Sequence, residues 1–260
     1  MQSEYRKSKK TFIISVLILS ALIVILFFVS MSVGRYRIPF PDVIKYFTGQ
    51  TVPELSARVI AYLRLPRTLL AALVGCALAV SGAIYQSAFN NKLVSPDLLG
   101  VSSGASVGAC FAILLGLSGV FISLFSFAMG FIAVILTVLI AKIFKNKSNV
   151  VLLLSGIAVG GLMSSGVGLM KYLADDEMKL AEMTYWLLGD LSGTTMKEVW
   201  IMLPIVVASC VVTVLTSWRV NIVSLGAKES KALGINYNAN MSILIGIATI
   251  LTAGAVSVSG

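Results

Sequence analysis

The sequence predicts an all-α protein, a polytopic transmembrane helical bundle of about seven spans in a single domain over residues 1–260. Three observations predict it. Of the 260 residues, 58% are hydrophobic and only 12% charged, against about a quarter charged in soluble domains. Mean hydropathy is +0.96. Apolar runs recur at 12–33, 69–88, 98–117, 120–143, 150–170, 199–217 and 241–260, each near the roughly 20 residues that a helical span needs. Backbone in lipid must satisfy its own hydrogen bonds, so these runs are expected as helices.

The first run follows the basic stretch "YRKSKK" and meets no small-residue cleavage site before Arg35. It therefore reads as a retained span and not as a cleaved signal. Segment 34–68 holds no apolar run long enough to cross and reads as a basic outer segment. The 98–117 run contains "SGASVGA", with Gly104 and Gly108 one turn apart. The 150–170 run contains "SGIAVGGLMSSGVG", with Gly156, Gly160, Gly161, Gly166 and Gly168. Small residues at such spacing let helix backbones approach closely. They serve either tight packing or a smooth wall beside a substrate path.

Segment 171–198 carries Asp175, Asp176, Glu177, Glu182, Asp190 and Glu198 together with Tyr185 and Trp186. It reads as a short amphipathic helix at a membrane interface, followed by a turn. Segment 218–240 is too polar to span. Within it Gly226 and Gly234 bracket "AKESKAL", a short surface helix with Lys228, Glu229 and Lys231 on its charged face and Gly234 at its C′ position.

With the N-terminus inside, the inner segments and Lys142 hold eleven Lys or Arg against three acids, and the outer segments nine against eight. The sign fits the positive-inside rule. The outer excess lies in 34–68, which carries Arg35, Arg37, Lys45, Arg58, Arg64 and Arg67. That basic segment demands a reason.

The net charge of +9 sits in short loops between spans, where orientation and anionic lipid account for it, so nucleic acid is not an expected partner. The chain has no histidine, which removes histidine-based acid–base chemistry and metal ligation. Cys76, Cys110 and Cys210 stand singly without metal-type spacing and read as small buried packing residues. No cofactor or metal is called for. No span centre carries a charged residue of the kind that ion-coupled transporters use. No P-loop motif is present, so energy for active transport would come from another subunit. A lipid-modifying enzyme would want convergent ionisable groups, and the sequence offers none.

"RLPRTLLAALVGCALAVSGAIYQSAFNNKLVSPDLLGVSSGASVGA", residues 64–109, closely resembles a signature of the FecCD-type permeases. Lys92 and Val94 depart from it, where proline and alanine are usual. "WLLGDLSG" at 186–193 and "LGAKESKALG" at 225–234 resemble two further family segments, the latter with Ser230 where alanine is usual. The resemblance covers essentially the whole chain. It implies ten spans, so the sequence ending at "GAVSVSG" is expected to be C-terminally incomplete relative to the family.

The resemblance also implies a role: membrane permease of a binding-protein-dependent ABC importer, for ferric siderophores first, with haem or cobalamin, or a non-transporting truncated subunit, as alternatives. It implies a cell-membrane location with the N-terminus cytoplasmic. The implied partners are a cytoplasmic ATP-binding subunit, an external substrate-binding protein and a second permease subunit, as homodimer or heterodimer. Leu225, Gly226, Lys228, Glu229, Lys231, Leu233 and Gly234 would couple to the ATPase. Arg64 and Arg67 would receive acidic residues of the binding protein. The glycines at 156–168 would line the pathway or act as hinges. Pro66 suits the first turn of a helix, which would put Arg67 at the positive end of its dipole, where an anionic partner would be welcome. Interfacial anchoring of the arginine stems is the other reading.

Overall fold

A computed structural model describes residues 2–144 and 149–260, with side chains from Lys9 onward. Part of the charged segment 144–149 thus lies outside the described residues. The described residues form twelve α-helices, one of them entered through a π-helical turn, and no strand. Among the described residues, six helices are long and apolar enough to cross a membrane. The chain divides into two compact units, one up to Leu69 with Thr194–Met196 and one of Leu70–Gly193 with Lys197–Gly260.

The first unit contains α1 (Gln2–Ser32), α2 (Phe40–Phe47) and α3 (Glu54–Arg58), then a π-helical turn (Val59–Arg64) that leads into α4 (Leu65–Ala88). Large apolar residues of α1 such as Phe12, Leu17 and Ile23 are exposed, the surface a lipid-facing helix needs. Its C-terminal end packs Met31 against Ile38, Val43 and Ile60. Phe27, Phe28, Phe40, Tyr46 and Phe47 add ring contacts at centroid separations of 5.5–6.3 Å. Pro39 caps α2 and Pro41 lies in its first turn, where a missing N–H costs nothing.

The helix expected to start near residue 66 starts at Glu54 instead, behind Pro53 at its N-cap. The apolar helix therefore runs from Glu54 to Ala88, 35 residues. Pro66 lies inside it. Proline has no N–H to donate, and its ring crowds the carbonyl one turn back. The wider turn just ahead of it, where the Leu65 N–H donates to Ile60 O, accommodates both defects. Arg67 is accordingly not at a helix N-terminus, and the dipole argument for an anion there does not apply. At 35 residues the helix is longer than the roughly 20 that a span needs.

The second unit holds the rest of α4, α5 (Val101–Leu114), α6 (Gly119–Ile143), α7 (Asn149–Tyr172), α8 (Glu177–Leu188), α9 (Met196–Leu215), α10 (Ser217–Ser224), α11 (Ala227–Ala232) and α12 (Tyr237–Ser259). The run at 98–117 gives only 14 helical residues in α5. That is about 21 Å, too short to span alone. Pro96 and the left-handed Gly100 delay its start, and the left-handed Gly116 stops it. It is instead an internal helix, with Val101, Gly104, Ala105, Val107–Cys110, Ala112 and Ile113 all buried.

Glycine makes that burial possible. A Cβ on Gly104 would stand 2.5 Å from that of Ala133 and 2.7 Å from Met129 O. One on Gly108 would strike the carbonyl of Phe125. The helices α5 and α6 touch backbone to backbone at these two positions. The helix α12 is the other internal one: 61% of its apolar window is buried, against 17–33% for α4, α6, α7 and α9. Hydroxyls stitch it to α4. Ser81 Oγ donates to Ala248 O at 3.1 Å and lies 2.6 Å from Thr252 Oγ1, while Tyr85 OH lies 3.2 Å from Thr249 Oγ1. All four side chains are buried, where a paired polar group stabilises and an unpaired one is costly. Of the cysteines, Cys110 is buried as expected of a packing residue, but Cys76 is exposed on α4 and Cys210 half-buried on α9.

Gly108→Val should destabilise the protein by about 1–3 kcal/mol through overpacking against Phe125, whereas Gly161→Ala, into open space, should not. Thermal unfolding in detergent checks this; equal midpoints for the two variants would contradict the α5–α6 contact.

Candidate coupling surface and basic segment

The short helix α11 is fully defined by its caps. Gly226 at its N-cap has φ +105° and Gly234 after its end has φ +73°, both in the region that favours glycine. The Gly234 N–H donates to Lys231 O at 3.0 Å and the Ile235 N–H to Ser230 O at 2.9 Å. This double bond is the Schellman closure, which satisfies two carbonyls that the helix end would leave orphaned.

Within α11 only Ser230 is buried. Its hydroxyl lies 3.2 Å from Ile222 O and 2.7 Å from Gly226 O, so it staples α11 to α10. Lys228, Glu229 and Lys231 are exposed, as are the flanking Leu225 and Leu233. Two exposed leucines thus flank three exposed charges on a short helix that Ser230 holds from beneath. Ser230 escaped notice as a site residue because its role depends on α10 lying below it; a serine at an otherwise apolar position was the one available signal.

The 156–168 glycines divide by what they face. Gly156 is buried, and a Cβ there would strike Leu98 O. A Cβ on Gly160 would lie 3.7 Å from Ser103 Oγ and 3.9 Å from the Cα of Gly100, and one on Gly166 would lie 3.4 Å from Val107 Cγ2. These three seat α7 on α5 and the loop before it. Gly161 and Gly168 are exposed with nothing within 4 Å, on a face that also carries Ser165.

Arg64 and Arg67 belong to the first unit, whereas the coupling segment and the glycines belong to the second. Arg64 is half-buried, and its guanidinium donates from Nη1 to Met31 O and from Nη2 to Tyr36 O. Met31 is in the last turn of α1, so Arg64 satisfies an orphaned carbonyl and sets a positive charge at the negative end of a helix. Arg67 is exposed and makes no ion pair to another described residue. Of the two arginines, it alone presents its charge outward.

The helix α8 confirms the short amphipathic helix expected in 171–198. Asp176 Oδ1 accepts from the Met178 N–H at 2.9 Å as its cap. Met183 is buried against Cys110, Ile113 and Ile122. Lys179 Nζ donates to Leu114 O at 2.9 Å, closing the end of α5, and the Asp190 N–H donates to Ser259 O at 2.8 Å.

Long apolar helices around two internal ones define a multi-pass α-helical membrane protein. The chain belongs to the FecCD transport family, which matches residues 22–260. It is 34% identical to the molybdate import system permease protein MolB of Haemophilus influenzae, over 93% of this chain and 73% of that protein. It is 33% identical to the hemin transport system permease protein HmuU of Yersinia pestis, over 92% of this chain and 72% of that one. A solved structure described as an inward-facing metal-chelate type ABC transporter matches with a TM-score of 0.83 at 32% identity, covering 93% of this chain and 74% of that chain. By their descriptions MolB is the permease of an import system and HmuU that of a transport system.

Arg64→Gln should lower stability by about 1–2 kcal/mol, since two carbonyls lose a charged donor, while Arg67→Gln should leave it unchanged. Unfolding midpoints of the two variants decide it; an unaffected Arg64→Gln would remove the structural role.

Proposed function

We propose that this chain is the membrane permease subunit of a binding-protein-dependent ABC importer for metal chelates, ferric siderophores first. It sits in the cell membrane with its N-terminus cytoplasmic. It carries no P-loop, so a separate cytoplasmic ATPase supplies the energy. The observation that carries the reading is α11, a rigid and exposed helix with leucine and charge on its outer surface. It enters a cleft of the ATPase, and closure of the ATPase pair on ATP pushes it.

A second permease subunit pairs with this one, and substrate passes between them along the open face of Gly161 and Gly168. Gly156, Gly160 and Gly166 hold α7 in place for that passage. The external binding protein lands on the basic segment. Arg67 meets its carboxylates directly, and Arg64 fixes the local backbone that carries Arg67. Arginine suits this work because its planar fork pairs bidentately with carboxylate.

Family membership and the metal-chelate type of the solved relative support the cargo class. Two relatives from Helicobacter pylori, described as probable iron chelatin transport system permease proteins, extend over 96% of this chain at 33% and 32% identity. Molybdate is the second reading, favoured by the 34% identity to MolB. Uptake of radioactive iron chelate and of radioactive molybdate, in cells expressing the chain with its ATPase and binding protein, separates the two. Iron uptake is expected; molybdate uptake alone would overturn the cargo and keep the permease.

Leu225→Glu with Leu233→Glu should reduce co-purification with the ATPase by about tenfold or more, as for a desolvated interface anchor, with normal membrane insertion. Unchanged co-purification would remove α11 from the interface. Arg67→Glu should weaken binding-protein docking roughly tenfold, and more at low salt than at high salt. Docking that is indifferent to both the substitution and salt would contradict the contact.

A further inference from the structure

The fold brings together two of the three cysteines that stand apart in the sequence. Cys76 lies in the middle of α4 and Cys210 in the last two turns of α9, both within the second unit. Their thiols share a hydrogen bond. Both helices also lean on α12. Ser81 and Tyr85 hold α4 to it, and a Cβ on Gly254 of α12 would lie 3.4 Å from Met202 Sδ of α9. The two thiols thus meet between helices that other contacts hold in place. Cys76 is exposed and Cys210 half-buried, whereas Cys110 is buried in a separate cluster with Ile113 and Met183.

We propose that Cys76 and Cys210 form an oxidisable dithiol site, which a hydroperoxide closes to a disulfide that clamps α4 to α9. Cys76, the exposed thiol, attacks the peroxide. The O–O bond breaks, the Cys76 sulfur keeps one oxygen as a sulfenic acid, and the other oxygen leaves as water with the thiol proton. The Cys210 sulfur then displaces the hydroxyl. The S–O bond breaks, the S–S bond forms, and the hydroxyl leaves as water with the Cys210 proton. Two thiols and one hydrogen peroxide give one disulfide and two waters. Hydrogen-bonded sulfurs must approach to reach the roughly 2 Å of an S–S bond. Gly75, beside Cys76, has nothing within 4 Å of a Cβ, so α4 has room to give.

The step needs no open surface, because both sulfurs belong to this chain and already touch, and hydrogen peroxide is small and neutral. Its mechanical consequence rests on the importer reading. The helix α9 continues through Thr216 into α10, to which Ser230 staples α11. A clamp on α9 restrains the helix that leads to the proposed coupling element, and turnover slows until a reductant reopens the bond.

Thiol counting on the full chain in membranes tests the site: treatment with hydrogen peroxide, then alkylation with a maleimide in denaturant, then peptide mapping. Untreated protein should alkylate at all three cysteines, and treated protein only at Cys110, with Cys76 and Cys210 joined in one peptide pair. Dithiothreitol should restore all three. Three free thiols after peroxide, sulfinic acid at Cys76 with Cys210 still free, or a cross-link between two chains would each overturn the pair. Stimulated ATP hydrolysis in the reconstituted importer tests the clamp. Peroxide should cause a reversible loss in the unchanged chain and none in Cys76→Ser; an equal loss in both would overturn it. Failure of the importer reading is distinguishable, because hydrolysis would then ignore the binding protein even without peroxide, while the thiol count would stand.

Discussion

Backbone polar groups in an apolar interior must find partners, and the buried end of the 89–100 stretch, at Leu99 and Gly100, meets that constraint where α5 begins. This stretch is not helical, yet it lodges beside buried helices. Several of its groups have named partners, among them the Val94 N–H on Asn91 O at 3.3 Å and the Gly100 N–H on Asp97 O at 2.8 Å. The Asn91 side chain accepts from the Leu93 N–H at 2.9 Å, and Asp97 accepts from the Ser102 N–H at 2.9 Å. Thr137 on α6 donates to Leu99 O at 3.1 Å. The absence of a Cβ at Gly156 leaves room for Leu98 O, and Gly82 sits against the ring of Pro96. Because the loop is paid its hydrogen bonds there, α5 can begin deep in the unit and remain short.

The consequences spread outward from α5. Gly104 and Gly108 bring α6 onto it, Gly156 and Gly160 bring α7, and Lys179 closes its end with α8. On the other side, Ser81 and Tyr85 of α4 bind the hydroxyls and carbonyls of α12. The helix α12 in turn adjoins α10, which carries α11 through Ser230. In the proposed importer this order matters mechanically. A push on α11 is not absorbed by a loose loop, because Ser230 and the Schellman closure make it rigid. It passes to α10 and then to the most buried helix of the unit.

Much of this was legible from the chain. Apolar length identified the long spans, and the glycine bracket identified α11 to within a residue, because caps are local chemistry. Acid-rich amphipathic patterning identified α8 for the same reason. Pro66 misled, since the usual place for proline is a first helical turn, and a π-helical turn leaves no mark in composition. Apolar content likewise cannot distinguish an internal helix of 14 residues from a span, because both are buried from water. The partners of Arg64 are a tertiary matter: its motif marked it as special, but two carbonyls 33 and 28 residues away decide what it does.

In the proposed importer this chain moves cargo on energy delivered by another subunit at α11. Reconstitution of the chain with its ATPase and binding protein in lipid vesicles tests it most directly, with ATP hydrolysis followed as loaded binding protein is added. Hydrolysis should rise with loaded binding protein and return to the rate of the free ATPase when α11 is replaced by a flexible glycine–serine loop. Hydrolysis that ignores both the binding protein and the state of α11 would contradict it.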